Sequence, residues 1–168
     1  MSRPGDVVQR GRYEANLAEG IYGTILATAL VAGLSEDPVL SPGEAAVTLL
    51  VTCAVFWLAH TYSEMLARPD RGLTLTELRR TAAQEGALLE SAILPVAALS
   101  AGWEGFLPRQ VAFNTAIGVG VASLFAVGIL LARREGYGAG GTVIAGLLSA
   151  VCGLLIVVLK VLVEHRIA

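Results

Sequence analysis

VAFNTAIGVGVASLFAVGILLA, residues 111–132, decides the fold class of this chain. The stretch contains no charged residue, and as a helix it would be about 33 Å long, which is enough to cross the hydrocarbon core of a bilayer. Four other segments are similarly apolar, at about 17–34, 42–67, 82–101 and 142–163, and polar clusters separate them. The sequence therefore predicts an all-α fold, a polytopic membrane bundle of about five transmembrane helices.

The composition supports membrane spans and argues against other classes. Hydrophobic residues make up 55% of the chain and charged residues 15%, whereas soluble domains carry about 25% charged residues. The net charge is −2, and no basic stripe is present, so we expect no nucleic-acid partner. No nucleophile arrangement or CxxC pair stands out. We therefore expect no enzymatic activity and no bound cofactor, and the lipid bilayer is the expected partner.

The chain divides into a polar N-terminal segment at 1–16, a five-span domain at 17–163 and a short tail at 164–168. The first segment lacks an apolar stretch followed by a cleavage site, so it does not resemble a signal peptide. With the N-terminus inside, nine arginines fall on the inner side, and three basic residues remain outside. The positive-inside rule predicts a plasma- or inner-membrane protein with a cytoplasmic N-terminus and an external C-terminus.

Two capping patterns predict where the second and third helices begin. Ser41, Pro42 and Glu44 fit the cap, first and third positions of a helix, and Thr74 with Glu77 forms a second capping box. We expect the third helix to start in water at Thr74, enter the membrane near residue 82 and end near residue 101. Pro95 lies inside it and is a candidate hinge, because proline removes a helical hydrogen bond.

Ionisable residues gather near the inner ends of the predicted spans. They are Glu19, His60, Glu64, Glu85 and Glu90. Charged groups within a membrane are costly and usually face the bundle interior or a cavity, so these residues indicate a polar vestibule open to the cytoplasm. His60 and Glu64 share one helical face and could hold a divalent metal or pass a proton.

A structural role is the alternative for these groups. They could extend into the headgroup region, or Glu64 and Glu85 could pair with an arginine at 68, 79 or 80. Glu85 and Glu90 point about 140° apart on a helix, so we do not expect both to face one site.

Small residues recur four apart in the last two predicted helices. The pairs are Gly118 with Ala122, Ala122 with Ala126, and Gly146 with Ala150. Such pairs let helix backbones approach closely in lipid. They fit packing within one chain or, alternatively, an interface between copies of a homo-oligomer.

Several short motifs resemble one transporter family. They are IYG at 21–23, ALVAGL at 29–34, LAHTYSEM at 58–65, ILPV at 93–96 and LFAVGILLAR at 124–133. They are similar to segments of the vacuolar iron transporter family, five-helix carriers of ferrous iron and manganese. The resemblance implies five spans, the same orientation and a metal cargo.

The metal ligands of that family do not carry over. The family has an acidic residue shortly after IYG, where this chain has Thr24, Ile25 and Leu26. The family's long cytoplasmic helices between spans two and three have no counterpart. Only Glu64 and Met65 lie where a second-helix ligand would fall, so any metal ligands must be others.

EANLAEGIYGTI at 14–25 and FWLAH at 56–60 resemble a different family. They are similar to the opening helix and to the aromatic–histidine segment in bacterial relatives of the lysosomal potassium channel. The chain departs from that family at 17–19, where Leu-Ala-Glu stands in place of Phe-Ser-Asp, and in having five predicted helices rather than six.

Together these features predict a small cation transporter or channel with a polar site in the inner leaflet. A monovalent cation, a divalent cation or a proton would fit. The alternative is a non-transporting membrane subunit, in which ion pairs occupy the polar groups and small-residue faces mediate association.

Overall fold

The computed structural model describes the backbone of residues 4–67 and 74–167. Side chains are described from Glu19 onward, except those at 84, 152, 156, 157, 159–161 and 163–167. The predicted inner loop at 68–73, with its two arginines, lies outside the described residues. All regular structure in the described part is helical, which confirms the all-α prediction. The helices are α1 (Pro4–Ser35), α2 (Pro42–Ala67), α3 (Leu75–Gln84), α4 (Ala87–Trp103), α5 (Arg109–Arg134) and α6 (Ala139–Ile167).

The described helices differ in whether they are long and apolar enough to cross a membrane. α2 and α5 are each long and apolar enough to cross a membrane. The pair α3–α4 meets this condition only if its two parts count as one bent span. α1 and α6 contribute shorter apolar stretches, Glu19–Ser35 and Ala139–Leu155. The described chain thus has two or three helices of membrane-spanning character, fewer than the five expected from the sequence.

The third helix departs most clearly from the sequence prediction. A continuous helix from Thr74 to about residue 101 was expected, but the chain breaks after Gln84 and bends by 51° before α4. The backbone N–H of Glu85 donates to the Thr81 carbonyl and closes α3. Gly86, a poor helix former, follows at once. Pro95 lies buried inside α4, ten residues beyond the break, and its role as a hinge stays a prediction.

The predicted capping box at Ser41 forms in both directions, whereas at Thr74 the structure shows one of the two bonds. The backbone N–H and hydroxyl of Ser41 donate to Glu44 Oε2 at 2.9 and 2.8 Å, and the Glu44 N–H donates to Ser41 Oγ at 3.2 Å. At α3, the Glu77 N–H donates to Thr74 Oγ1 at 3.3 Å. These bonds satisfy backbone donors that a helix start leaves without partners, which fixes where α2 and α3 begin.

α1, α4 and α5 form the centre of the bundle, while α2 packs on α4 and α6 packs on α5. The shared core contains small and medium apolar side chains, including Ala27, Val31, Leu49, Cys53, Leu88, Ala92, Leu99 and Phe113. Large apolar side chains on the outer faces of α2 and α6 are exposed, among them Val51, Val55, Leu58, Ile144, Leu148 and Leu155. Outward apolar faces of this kind are compatible with insertion into lipid.

The predicted small-residue pairs fall on two different surfaces. Gly146 is buried, and a Cβ there would lie 2.9 Å from Phe125 and from Ile129 of α5, so it packs within the chain. Ala150 is half-buried on the same helix. Gly118 and Ala122 are exposed, and a Cβ on Gly118 would meet nothing within 4 Å.

Arg109 ties the loop between α1 and α2 to the first turn of α5. Its Nε donates to the Leu40 carbonyl at 3.0 Å, and Nη2 donates to the carbonyls of Ser35, at 3.4 Å, and Asp37. The guanidinium also lies 4.8 Å from the centre of the Phe113 ring. One side chain thus satisfies carbonyls at the end of α1 and in the loop that follows.

Candidate functional site

Three of the five ionisable candidates come together at one point of the bundle. Glu19 of α1, His60 of α2 and Glu85 at the end of α3 each offer one ligand atom, and these atoms all lie within 4.8 Å of one another. His60 Nε2 is 3.5 Å from Glu85 Oε2. Because each residue comes from a different helix, the cluster depends on the tertiary fold. We call it the Glu19–His60–Glu85 centre.

The centre is buried on one side and open on the other. Glu19 is only 9% exposed, and its Oε1 is buried without a hydrogen-bond partner. The side chains of Glu85 and His60 are 16% and 50% exposed, respectively. His60 also lines an open groove of about 390 Å³ together with Tyr22, Phe56, Ala59, Ser63 and Leu88. A small solute in this groove would therefore meet the histidine of the centre.

Close packing of α1 on α4 brings Glu19 near Glu85. Gly23, one turn after Glu19, lies against α4, and a Cβ there would be 2.6 Å from Ser91 Oγ and 3.1 Å from Leu88 Cα. A side chain at this position would separate the two helices. Gly23 was not singled out from the sequence, although Gly23 and Ala27 are small residues four apart in a predicted span, a spacing that lets helix backbones approach closely.

The indole of Trp57 positions the third member of the centre. Trp57 Nε1 donates to the Ala82 carbonyl at 2.9 Å, and so joins α2 to the last turn of α3. His60 follows Trp57 by three residues, and Glu85 follows Ala82 by three. This bond therefore holds the two helix segments that carry the His60–Glu85 pair. It was missed from the sequence because a lone tryptophan in an apolar run does not indicate a partner.

The other two acidic candidates lie outside the centre. Glu64 is half-buried one turn after His60. Glu90 is exposed and lines a different groove, between α1, α4 and α5. The sequence allowed Glu85 to pair with an arginine. In the described residues Glu85 instead pairs with His60, and Arg80 pairs with Glu77 at 3.9 Å. The position of Arg68 lies outside the described residues.

Thr61 adds a second unsatisfied polar atom beside the histidine. It is 1% exposed, and its Oγ1 has no hydrogen-bond partner. A buried hydroxyl without a partner is costly, and such groups are uncommon in native structures. In the sequence, only the position of Thr61 next to His60 pointed to a role for this residue.

The ligand atoms of the centre suit a first-row divalent cation. Zinc binds imidazole nitrogen and carboxylate oxygen at about 2.0–2.2 Å, which places tetrahedral ligands roughly 3.3–3.5 Å apart. The 3.5 Å between His60 and Glu85 already lies at this spacing. A cation would also give the buried Glu19 oxygen a partner. The same three groups could instead relay a proton, because an imidazole can both accept and donate one.

Comparison with known proteins gave no match: no family model, no curated protein and no solved structure was significantly similar to the chain. The two family resemblances seen in short motifs therefore stay expectations.

Proposed function

We propose that the chain is a small membrane transporter for a divalent transition-metal cation, which binds at the Glu19–His60–Glu85 centre. The observation that carries the proposal is the buried, unpartnered Oε1 of Glu19 beside a histidine and a second carboxylate. Buried charges in proteins are generally paired or coordinate a metal. A bound cation would supply the missing partner.

The architecture that goes with this function has five passes. α1, α2, α5 and α6 would each cross once, and the bent pair α3–α4 would provide the third pass. The N-terminus would be cytoplasmic and the C-terminus external, by the distribution of arginine and lysine. Glu19 begins the apolar stretch of α1 and His60 comes near the end of α2, so the centre would lie towards the cytoplasmic side.

Charge and ligand type favour a divalent over a monovalent cargo. Metal binding requires deprotonated ligands, and two carboxylates with an imidazole in that form carry a charge of −2, which one divalent cation balances. Imidazole suits zinc and iron, and carboxylate suits manganese as well, whereas alkali cations prefer ligand sets made only of oxygen. The half-exposed His60 places one ligand of the centre at the open groove.

Self-association is a second candidate role, and one observation favours it. Gly118, Ala122 and Ala126 form an exposed stripe along α5, and small residues spaced in this way let helices of two copies pack closely. A homo-oligomer could accompany transport, or it could be the main role of a non-transporting subunit.

The test is uptake of manganese, zinc and ferrous ions into proteoliposomes, together with calorimetric metal binding to the detergent-purified protein. We expect Glu19→Gln, His60→Ala and Glu85→Gln each to weaken binding and uptake by at least about tenfold, since even the loss of groups that only orient metal ligands costs 10–100-fold. Glu104→Gln is the matched control, because Glu104 is an exposed carboxylate at the opposite end of α4.

Binding and uptake that persist in all three variants would remove the centre from the mechanism. Metal binding without uptake by the wild-type protein would refute transport and favour a metal-binding subunit. The absence of both would leave self-association, measured as the oligomeric state of the wild-type protein and a Gly118→Leu variant.

A further inference from the structure

Glu90 lies in a second groove, on a different side of the α1–α4 contact from the Glu19–His60–Glu85 centre. The groove has a volume of about 300 Å³ and is open to the surface. We call it the Glu90 groove. Its lining comes from α1, α4 and α5 and includes the polar side chains of Thr24, Glu90, Ser91 and Ser123.

The three hydroxyl groups of the groove all donate their protons elsewhere. Thr24 Oγ1 donates to the Gly20 carbonyl at 2.8 Å, Ser91 Oγ to the Leu88 carbonyl at 2.6 Å, and Ser123 Oγ to the Val119 carbonyl at 2.9 Å. A hydroxyl has one proton and two lone pairs. Each of these oxygens is therefore left as an acceptor.

An ionised Glu90 carboxylate is also an acceptor only. The polar side chains that line the groove thus present oxygen lone pairs and one negative charge. In the part of the chain with described side chains, no basic residue forms an ion pair with Glu90. Such a lining attracts a cation and repels an anion.

We propose that the Glu90 groove is a second cation site, which takes a monovalent alkali cation on the Glu90 carboxylate and the hydroxyl oxygens of Thr24, Ser91 and Ser123. One unit of positive charge neutralises the single carboxylate, whereas a divalent ion would leave an excess charge. All ligands are oxygen, the donor type that suits hard cations, while the first centre contains an imidazole. The two sites therefore differ in the class of cation that they select.

The two sites share the same pair of helices. Gly20 directly follows Glu19 in α1, and Glu90 follows Glu85 by five residues across the break between α3 and α4. Gly20 faces Ala87, whose Cβ would be 3.9 Å from a Cβ added at Gly20. An alkali ion that draws α1, α4 and α5 together in the Glu90 groove would also act on the spacing of α1 and α4 near Glu19.

The experiment uses detergent-purified full-length protein freed of divalent metal. Thermal unfolding is compared in sodium, potassium and choline chloride at equal ionic strength, and equilibrium binding of radioactive sodium and rubidium is measured directly. We expect sodium or potassium to raise the melting temperature by about 3–6 °C over choline at ten times its dissociation constant. Glu90→Gln should abolish this shift and the binding, Ser123→Ala should reduce both, and Glu104→Gln should leave both unchanged.

Equal melting temperatures in all three salts, or alkali binding that survives Glu90→Gln, would overturn the proposal. So would a Glu90→Gln variant destabilised by the same amount in every salt, because Glu90 would then serve only to compensate the N-terminal end of the α4 dipole. Manganese binding measured on the same preparations keeps the two proposals apart. Its persistence alongside failed alkali binding would refute the second site alone.

Discussion

Gly23→Ala tests whether the spacing of α1 and α4 sets the geometry of the Glu19–His60–Glu85 centre. The new Cβ would lie 2.6 Å from Ser91 Oγ and 3.1 Å from Leu88 Cα. Ser91 Oγ can rotate only by giving up its bond to the Leu88 carbonyl, and the Leu88 backbone can move only with α4. The substitution should therefore push the two helices apart by a few tenths of an ångström.

Two opposing free energies set the change in stability that Gly23→Ala causes. Overpacking a tight contact costs about 1–3 kcal/mol, while replacing glycine by alanine inside a helix recovers about 0.5–1 kcal/mol. We expect a net loss of roughly 1 kcal/mol, or a fall in melting temperature of about 2–4 °C. Because Glu19 lies one turn away, metal affinity should also fall, by about tenfold, as when groups that orient metal ligands are lost.

The assay pairs thermal unfolding with calorimetric manganese binding. Gly118→Ala is the matched control, because it makes the same chemical change in a helix where the Cβ meets nothing within 4 Å. It should raise stability by about 0.5–1 kcal/mol and leave metal affinity unchanged. If Gly23→Ala behaved like Gly118→Ala in both measurements, the reasoning from helix spacing would be refuted.

Two further predictions concern bonds between helices and loops. Trp57→Phe removes the indole donor to the Ala82 carbonyl and should lower the free energy of unfolding by about 1 kcal/mol; an unchanged denaturant midpoint would show that this bond does not hold α2 to α3. Arg109→Lys keeps the charge but loses the branched donor that reaches three carbonyls, and should cost about 1–3 kcal/mol in the same unfolding assay. Equal stability of the lysine variant would mean that the charge alone holds the loop.

Local features of the fold were predictable because they depend on neighbours in the sequence. The helix caps at Ser41 and Thr74 need residues only three positions apart, and each hydroxyl accepts from the predicted backbone N–H. The break before α4 was not predicted, because the residues around it are good helix formers apart from Gly86. The polar triplet at 84–86 was a signal, but a single glycine costs only about 1 kcal/mol and does not by itself end a helix.

The sequence predicted that the ionisable residues gather, but not which of them meet. The predicted alternation of the spans places the helix ends that carry Glu19, His60 and Glu85 on the same side of the bundle, and in the structure these three residues lie together. The sequence could not tell that these three meet while Glu90 lines another groove, because that depends on how each helix is rotated about its axis. Packing sets that rotation, through contacts such as Gly23 on Leu88 that join residues 65 positions apart. The bend between α3 and α4 was not predictable for a related reason, since it depends on how both helices pack against α2.

The short α4 would also affect the surrounding bilayer. Its 17 residues extend about 26 Å, whereas the 26 residues of α2 and of α5 extend about 39 Å each. A hydrocarbon core about 30 Å thick is shorter than α2 and α5, which would tilt or extend beyond it. It is longer than α4 alone, so the third pass would need either the bent α3 or local thinning of the bilayer. In the proposed orientation any thinning would occur at the cytoplasmic end of α4, and lipid headgroups and water would then lie closer to Glu85. A cation bound at the Glu19–His60–Glu85 centre would then have less hydrocarbon between it and the cytoplasm. Most of the transmembrane voltage would therefore act across the part of the bundle between the centre and the outer surface.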